Sequence, residues 1–561
     1  MTELSASTAA IGTSAKAAAM NDPVRPAAPG SLTPEPTSAS GRPSAIAASV
    51  SNLKLKFAGE DALLFQGVTL SFRQGEHTLL LGPSGCGKST LLQVLSGLIP
   101  GSIEVPMLAD ETVVPKRWGY VFQDPDTQFC MPYVDEELAF VLENLQVPRE
   151  QMQARISRHL RQVGLDLPDP HVPIQSLSQG MKQRLAIATA LATEPDVLFL
   201  DEPTALLDDG GTEQVWRTIR SVADGMTLIA VEHKIEGVAD LFDRIVVLGP
   251  SGEIVADGAA ADVFAGYRSE LNRYGIWYPG IWEERDRELG GRRASQATKD
   301  DRRSCEAEIA ERTEIKRANA EGEIGRKEVA ERTSPPIVEL RNYRGLRGTK
   351  PVIEAERAEI RPGDWIAVMG DNGAGKSSLL LAIMRLIKTE GLCRVAGREL
   401  RKTEQLAEHA AFVFQNPELQ FVTNSVRDEV EYSLLVDGAE AGERRGRSER
   451  LMEELQLEDC ASRHPYQLSM GQKRRLSVAS AIVRGQRLLL LDEPTFGLDA
   501  RNTFAMLELL ERLRSEGMAI LMVTHDPRIA ERYCTVVWRV REGRLTDAID
   551  LSAQADVASS R

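Results

Sequence analysis

Two stretches of this chain, GPSGCGKST at residues 82–90 and GDNGAGKSS at 370–378, carry glycines, a lysine and hydroxyl side chains at one spacing. Residues of these types can hold phosphate. Gly82, Gly85 and Gly87, and again Gly370, Gly373 and Gly375, let backbone N–H groups converge on anionic oxygens. The start of a following helix adds partial positive charge. Lys88 and Lys376 would reach the outer phosphates of a nucleotide, and the Ser89 and Ser377 hydroxyls would ligate Mg2+, with Thr90 and Ser378 beside them. In each copy a short apolar strand precedes the loop. After the first loop, Leu91, Leu92, Leu95 and Leu98 share one side of a predicted helix.

A second pair of stretches supplies acids. VLFLDEPT at 197–204 and LLLLDEPT at 488–495 place four apolar residues before Asp–Glu. Such a run suits a central parallel strand buried on both faces, with the acids at its carboxyl end, where sheets of this kind bind ligands. Asp201 and Asp492 would hold Mg2+. Glu202 and Glu493 could polarise water for attack on a phosphate.

These elements belong to a longer repeat. LSQGMKQRL at 177–185 returns as LSMGQKRRL at 468–476, and VFQDPDTQF returns as VFQNPELQF. Lys88 and Lys376, Gln123 and Gln415, Asp201 and Asp492, and His233 and His525 are separated by 288, 292, 291 and 292 residues. Spacing this constant implies duplication of a whole domain.

The 561 residues are 42% hydrophobic and 27% charged, a balance that suits a globular protein with large cores. The formal net charge of −15 argues against nucleic acid as the main partner. The six cysteines form no CxxC pair and fit a reducing compartment. No apolar run reaches the roughly 18 residues needed to span a bilayer, and no secretory signal is read at the N-terminus.

The domain reading is an Ala/Ser/Pro-rich disordered extension over 1–48, a first domain over 49–282, a charged linker over 283–335, a second domain over 336–547 and a tail over 548–561. GIWYPGIW at 275–282 reads as a packing tail of the first domain, with an interaction surface as the alternative. Cys86, inside the first glycine loop, raises two options: a thiol whose modification blocks the site, or one that points inward.

Together these motifs resemble the nucleotide-binding domains of ABC transporters, over roughly 50–280 and 337–547. The resemblance implies an α/β fold of two tandem P-loop NTPase domains. Each would have a mainly parallel sheet core, an antiparallel β part and a helical subdomain. It implies ATP and Mg2+ as ligands and ATP hydrolysis as the activity. Gln123 and Gln415 then correspond to the glutamines that touch Mg2+ and face a membrane subunit. His233 and His525 correspond to the switch histidines, and Asp208 and Asp499 to the loops that follow DEPT. Phe57 and Tyr343 would stack on adenine. In that family each LSxGx segment closes over the nucleotide held by the other domain. Ser469 and Gly471, with Gln472, would complete the Lys88 site, and Ser178 and Gly180 the Lys376 site. Met181 stands where Gln472 does. The basic residues that follow, Lys182, Arg184, Lys473 and Arg474, read as surface pairing.

QDPDTQFCMPYVDEELAFVLENLQVP and QNPELQFVTNSVRDEVEYSLL are similar to the ATPase components of energy-coupling factor transporters. That resemblance implies a transmembrane scaffold subunit and a small membrane substrate-binding subunit as partners, a place on the cytoplasmic face of the membrane, and a vitamin or cobalt/nickel as cargo. Thiamine or its pyrimidine precursor is one option. The competing class is a soluble tandem-ABC ATPase acting on the ribosome or DNA.

Overall fold

The computed structural model describes residues 45–58, 62–205, 207–287 and 335–551. Most of the expected extension and most of the charged linker lie outside them. The boundaries differ from the sequence reading at three places. Strand β1 (Ile46–Leu55) begins inside the segment read as extension, because Ala48 and Val50 are buried in the core while Ile46 leads in. Residues 281–287 are helical and carry the first half past 282. The last strand runs to Asp550, into the segment read as a tail.

In the first half, β1 pairs antiparallel with β2 (Phe65–Arg73), β4 (Met107–Leu108) and β5 (Glu111–Val113). A six-stranded sheet follows the order β10-β9-β3-β8-β7-β6. It comprises β3 (His77–Leu81), β6 (Trp118–Val121), β7 (Val197–Asp201), β8 (Thr227–Val231), β9 (Arg244–Leu248) and β10 (Ile254–Ala259). All neighbours are parallel except β10 on β9. Strands β7 and β8 are buried along their whole length, as their unbroken apolar runs require once helices cover both faces.

The second half repeats the plan with its parts joined into one nine-stranded sheet, β14-β11-β12-β19-β18-β13-β17-β16-β15. Its antiparallel part is β11 (Val338–Arg347), β12 (Lys350–Ile360) and β14 (Lys388–Val395). Its parallel core is β13 (Trp365–Met369), β15 (Ala410–Val413), β16 (Leu488–Asp492), β17 (Ala519–Val523) and β18 (Val536–Arg541), with β19 (Arg544–Asp550) antiparallel on β18.

Between the sheet strands each half carries a helical part: Val134–Asn144, Arg149–Gln162 and Gln179–Ala192 in the first, Val426–Val436, Ala441–Glu454 and Met470–Ile482 in the second. A buried carboxylate anchors each. Glu137 accepts the N–H groups of Cys130 and Met131 at 2.8 Å, and Glu429 those of Val422 and Thr423 at 3.0 and 2.9 Å. Gln128 and Gln420 then tie the same segments to the LSxGx helices.

The GIWYPGIW segment does not stay with its own half. Gly275 accepts the N–H of Ala500 at 2.9 Å, Trp277 donates to the Leu498 carbonyl at 3.4 Å, and Trp282 meets the Phe504 ring edge-on at 5.0 Å. Trp282 and Phe504 belong to one apolar cluster that runs from the first half into the second.

Candidate functional site

Each glycine loop turns into its helix through a residue that must be glycine. Gly87 has φ 100°, and a Cβ there would come within 2.7 Å of the Phe65 ring. Gly375 has φ 110° and would bring a Cβ to 2.7 Å from the Val352 carbonyl oxygen. The loops thus place the helices Lys88–Leu95 and Lys376–Ile383 directly on the ends of β3 and β13.

Both loop lysines are buried and curl back over their own loops. Lys88 Nζ donates to the carbonyls of Gly82 (2.9 Å) and Pro83 (3.0 Å); Lys376 Nζ donates to those of Gly370 (2.8 Å) and Asp371 (2.9 Å). Each ammonium has three donors, so one is left for a phosphate oxygen beside the two held by the loop. Burial pulls the Lys376 pKa down, against the opposing charges of Glu493, of Asp208 in the first half, and of Asp492.

Ser89 Oγ donates to Asp201 Oδ1 at 2.7 Å, and Ser377 Oγ to Asp492 Oδ1 at 3.0 Å. Burial raises both carboxyls above the ordinary aspartate range, while the serine hydrogen bonds work the other way. A hydroxyl beside a carboxylate is an all-oxygen donor pair, which fits a hard cation such as Mg2+ completed by phosphate oxygens and water. In the first half Tyr120 adds a hydrogen bond from its OH to Asp201 Oδ2 at 3.1 Å; the second half has Phe412 at the corresponding place. Sequence reasoning passed over Tyr120. The signal was available in the polar-for-apolar difference between WGYVFQ and AAFVFQ.

The glutamates after the aspartates have the same neighbours in both halves. Glu202 receives Gln123 Nε2 at 2.9 Å on one oxygen and faces His233 Nε2 at 2.9 Å on the other. Glu493 receives Gln415 Nε2 at 3.0 Å and faces His525 Nε2 at 3.0 Å. Burial, the largest single influence, disfavours their charge, yet the histidine contacts together with the Lys88 or Lys376 charge hold both carboxyls below the ordinary glutamate range. Both glutamates also have positive φ, 47° and 50°, a conformation non-glycine residues avoid. The structure thus joins the sequence-predicted Gln, Glu and His into one cluster per half.

Behind His233 lies Glu232, which the sequence reading did not single out. It is fully buried, accepts Thr204 Oγ1 at 2.8 Å and the N–H groups of His233 and Lys234 at 2.9 and 3.2 Å, and burial raises its pKa. The second half has Thr524 there.

Phe57 is 39% exposed and walls a cleft of about 540 Å³ with Gly85, Lys88, Ser89, Thr90, Glu202 and His233. Tyr343 does not match it. It is 1% exposed, packed in the core of the second half, with its OH donating to the Ala382 carbonyl at 2.6 Å. A bulge of β11 against β14 between Arg341 and Arg344, with Asn342 at φ 45°, turns this side chain inward, so it cannot meet a base. Cys86 is likewise buried beneath the first loop; a Cβ on Gly82 would touch its Sγ at 2.7 Å, so the inward-pointing option holds.

Each LSxGx serine caps a helix. Ser178 Oγ accepts the Met181 N–H at 3.3 Å, and Ser469 Oγ accepts that of Gln472 at 3.4 Å. In the second half Gln472 Oε1 also accepts the Ser469 N–H at 3.0 Å, a reciprocal box that Met181 cannot form. Gly471 is constrained, since a Cβ would lie 2.6 Å from the Asn502 amide; Gly180 has open room. The basic residues behind are paired, as read, but not at the surface. Lys182 is buried against Asp126 (2.7 Å), Lys473 is 12% exposed against Glu418 (2.5 Å), and Arg474 is buried and donates to the Phe414 carbonyl. The two lysines fasten each LSxGx helix to the segment after Gln123 or Gln415, and Arg474 to the residue before Gln415.

A glycine loop opening a helix, a parallel sheet whose central strand ends in Asp–Glu, and a serine-capped helix, all present twice, define a duplicated ATPase of the P-loop class. The ABC transporter family matches residues 65–205 and 355–496, and the chain belongs to that family as an ATP-binding subunit. It is 33% identical over 506 residues, 87% of this chain and 88% of the relative, to the Bacillus subtilis (strain 168) protein named "Putative HMP/thiamine import ATP-binding protein YkoD". It is also 33% identical over 515 residues, 86% of this chain and 83% of the relative, to a Methanosarcina acetivorans protein named "Putative ABC transporter ATP-binding protein". No helix among the described residues is long and apolar enough to cross a membrane.

Proposed function

We propose that the chain is the ATP-hydrolysing subunit of a membrane importer of the energy-coupling factor type, working at the cytoplasmic face of the membrane. Its cargo on this reading is a vitamin of the thiamine class or its hydroxymethylpyrimidine precursor, in line with the name of the Bacillus subtilis relative. Its partners are a transmembrane scaffold and a small membrane subunit that binds the cargo.

Two ATP molecules bind between the halves. Lys88 and Lys376 donate to phosphate oxygens, and the loop N–H groups and Thr90 or Ser378 complete each cradle. Ser89 with Asp201, and Ser377 with Asp492, hold Mg2+, which neutralises phosphate charge when bound. Phe57 offers its ring to the base in the first site. Glu202 and Glu493 act as general bases toward water; Gln123, Gln415, His233 and His525 orient them. Ser469 and Gly471 close over the Lys88 site, Ser178 and Gly180 over the Lys376 site.

The observation that carries this reading is the matched Gln–Glu–His cluster beside a phosphate loop in both halves. Purified chain should hydrolyse Mg·ATP. Cells that depend on external thiamine or its pyrimidine precursor should lose uptake when Lys88→Ala and Lys376→Ala are combined. Unimpaired uptake would refute the transport assignment, and absent hydrolysis the enzymatic one.

A further inference from the structure

The loops that bear the two histidines meet. Glu236 lies three residues beyond His233, and Arg528 three residues beyond His525. Arg528 forms a salt bridge with Glu236 across the halves. The same guanidinium pairs with Asp526 at 2.8 Å, and Asp526 caps the helix Pro527–Tyr533 that starts beside His525. It also lies 5.2 Å over the ring of Trp282, which is 1% exposed and belongs to the first half's tail. On the other side of the pair, Ile235 is fully buried, so the loop from His233 to Glu236 is pinned at its middle. Ion pairs join Glu202 to His233, Glu236 to Arg528, Arg528 to Asp526 and His525 to Glu493, and the backbone itself joins His233 to Glu236 and His525 to Asp526.

We propose that the Glu236–Arg528 pair, seated on Trp282, is a positioning contact that couples the two histidine loops. The chemistry in the first half then depends on a second-half residue that touches neither its phosphate loop nor Glu202. A half-exposed ion pair in water contributes little by itself. Here the guanidinium is oriented by a ring beneath it and a second carboxylate beside it, so less freedom is lost in holding the pair. The contact joins two loops that each carry a catalytic-cluster histidine, and a shift of one is felt by the other. Such coupling is an energy, and a double-mutant cycle measures it.

The proposal rests on the ATPase reading above. The experiment uses the full chain and measures kcat, KM and the Hill coefficient for Mg·ATP in the parent, Glu236→Ala, Arg528→Ala and the double variant. The parent should show a Hill coefficient above one. Each single change should lower kcat about two- to five-fold, the span of an exposed pair's coupling, and bring the Hill coefficient toward one with little change in KM. The double variant should be no worse than either single variant, and Arg528→Lys should recover part of the loss. Effects that multiply in the double variant, unchanged Hill coefficients, or a parent without cooperativity would overturn the proposal. Should Arg528→Ala unfold the chain, Glu236→Gln with Arg528→Gln gives the same cycle. A parent that hydrolyses no ATP would overturn the underlying reading instead.

Discussion

At the scale of single residues, the two glutamates concentrate the chemistry. Glu202→Gln with Glu493→Gln should leave Mg·ATP binding intact and reduce turnover by about 10²–10⁴, the range for removing a general base; steady-state hydrolysis measures it, and a near-parental rate would contradict the assignment. Their acidity has a sign that can be checked. The folded pKa of each lies below the unfolded value, so the stability it contributes is present above the ordinary glutamate pKa and lost as pH falls through the lowered one. Burial, the largest influence, opposes this; the histidine contacts supply it together with the Lys88 and Lys376 charges. His233→Ala should therefore raise the Glu202 pKa and move the acid limb of first-site activity to higher pH. Met181→Gln should build the missing half of the cap on the helix Gln179–Ala192, adding about 1 kcal/mol to the first half. On the composite-site reading it also raises ATP affinity at the Lys376 site; calorimetry with Lys88→Ala reads both. Much of this site was legible in sequence, because loop glycines and the Asp–Glu strand end have few other uses together. Tyr343 was not, because one extra residue in a strand flips every later side chain to the opposite face, and nothing in NYRG marks the bulge.

At the scale of elements, apolar runs announced the buried strands, and the loop-to-helix turns followed from glycine spacing. What sequence could not supply was which half a tail packs on. GIWYPGIW is aromatic enough to demand burial, yet burial against either half satisfies that demand. The fold resolves it: Trp282 sits on Phe504 of the helix Ala500–Ser515, with Arg528 and Arg532 over its ring and Asp286 paired to Arg532 at 3.0 Å. Trp282→Ala should cost about 3–5 kcal/mol, as for other large buried aromatics. Denaturant unfolding should show the loss, with the transition of the second half affected as well as the first. A change confined below about 1 kcal/mol would mean the tail is dispensable to the junction.

At the scale of the whole molecule, duplication is the organising fact. Each half brings a phosphate loop and a serine-capped helix, and the halves are tied by an apolar cluster and by charge pairs that cross between them. The copies are not equal. Tyr120, Glu232 and Phe57 distinguish the first half, and the Ser469–Gln472 box the second. On the proposed reading each ATP site takes its loop from one half and its LSxGx segment from the other. The most direct measurement is Mg·ATP affinity in the Lys88→Ala chain, where only the Lys376 site remains, after adding Ser178→Asp or Ser469→Asp; aspartate keeps either helix cap. A carboxylate placed over the phosphates repels them. Composite sites predict that Ser178→Asp, in the other half, weakens binding at least ten-fold while Ser469→Asp leaves it within about two-fold. Loss with Ser469→Asp and retention with Ser178→Asp would show that each half closes its own site and would refute the composite arrangement.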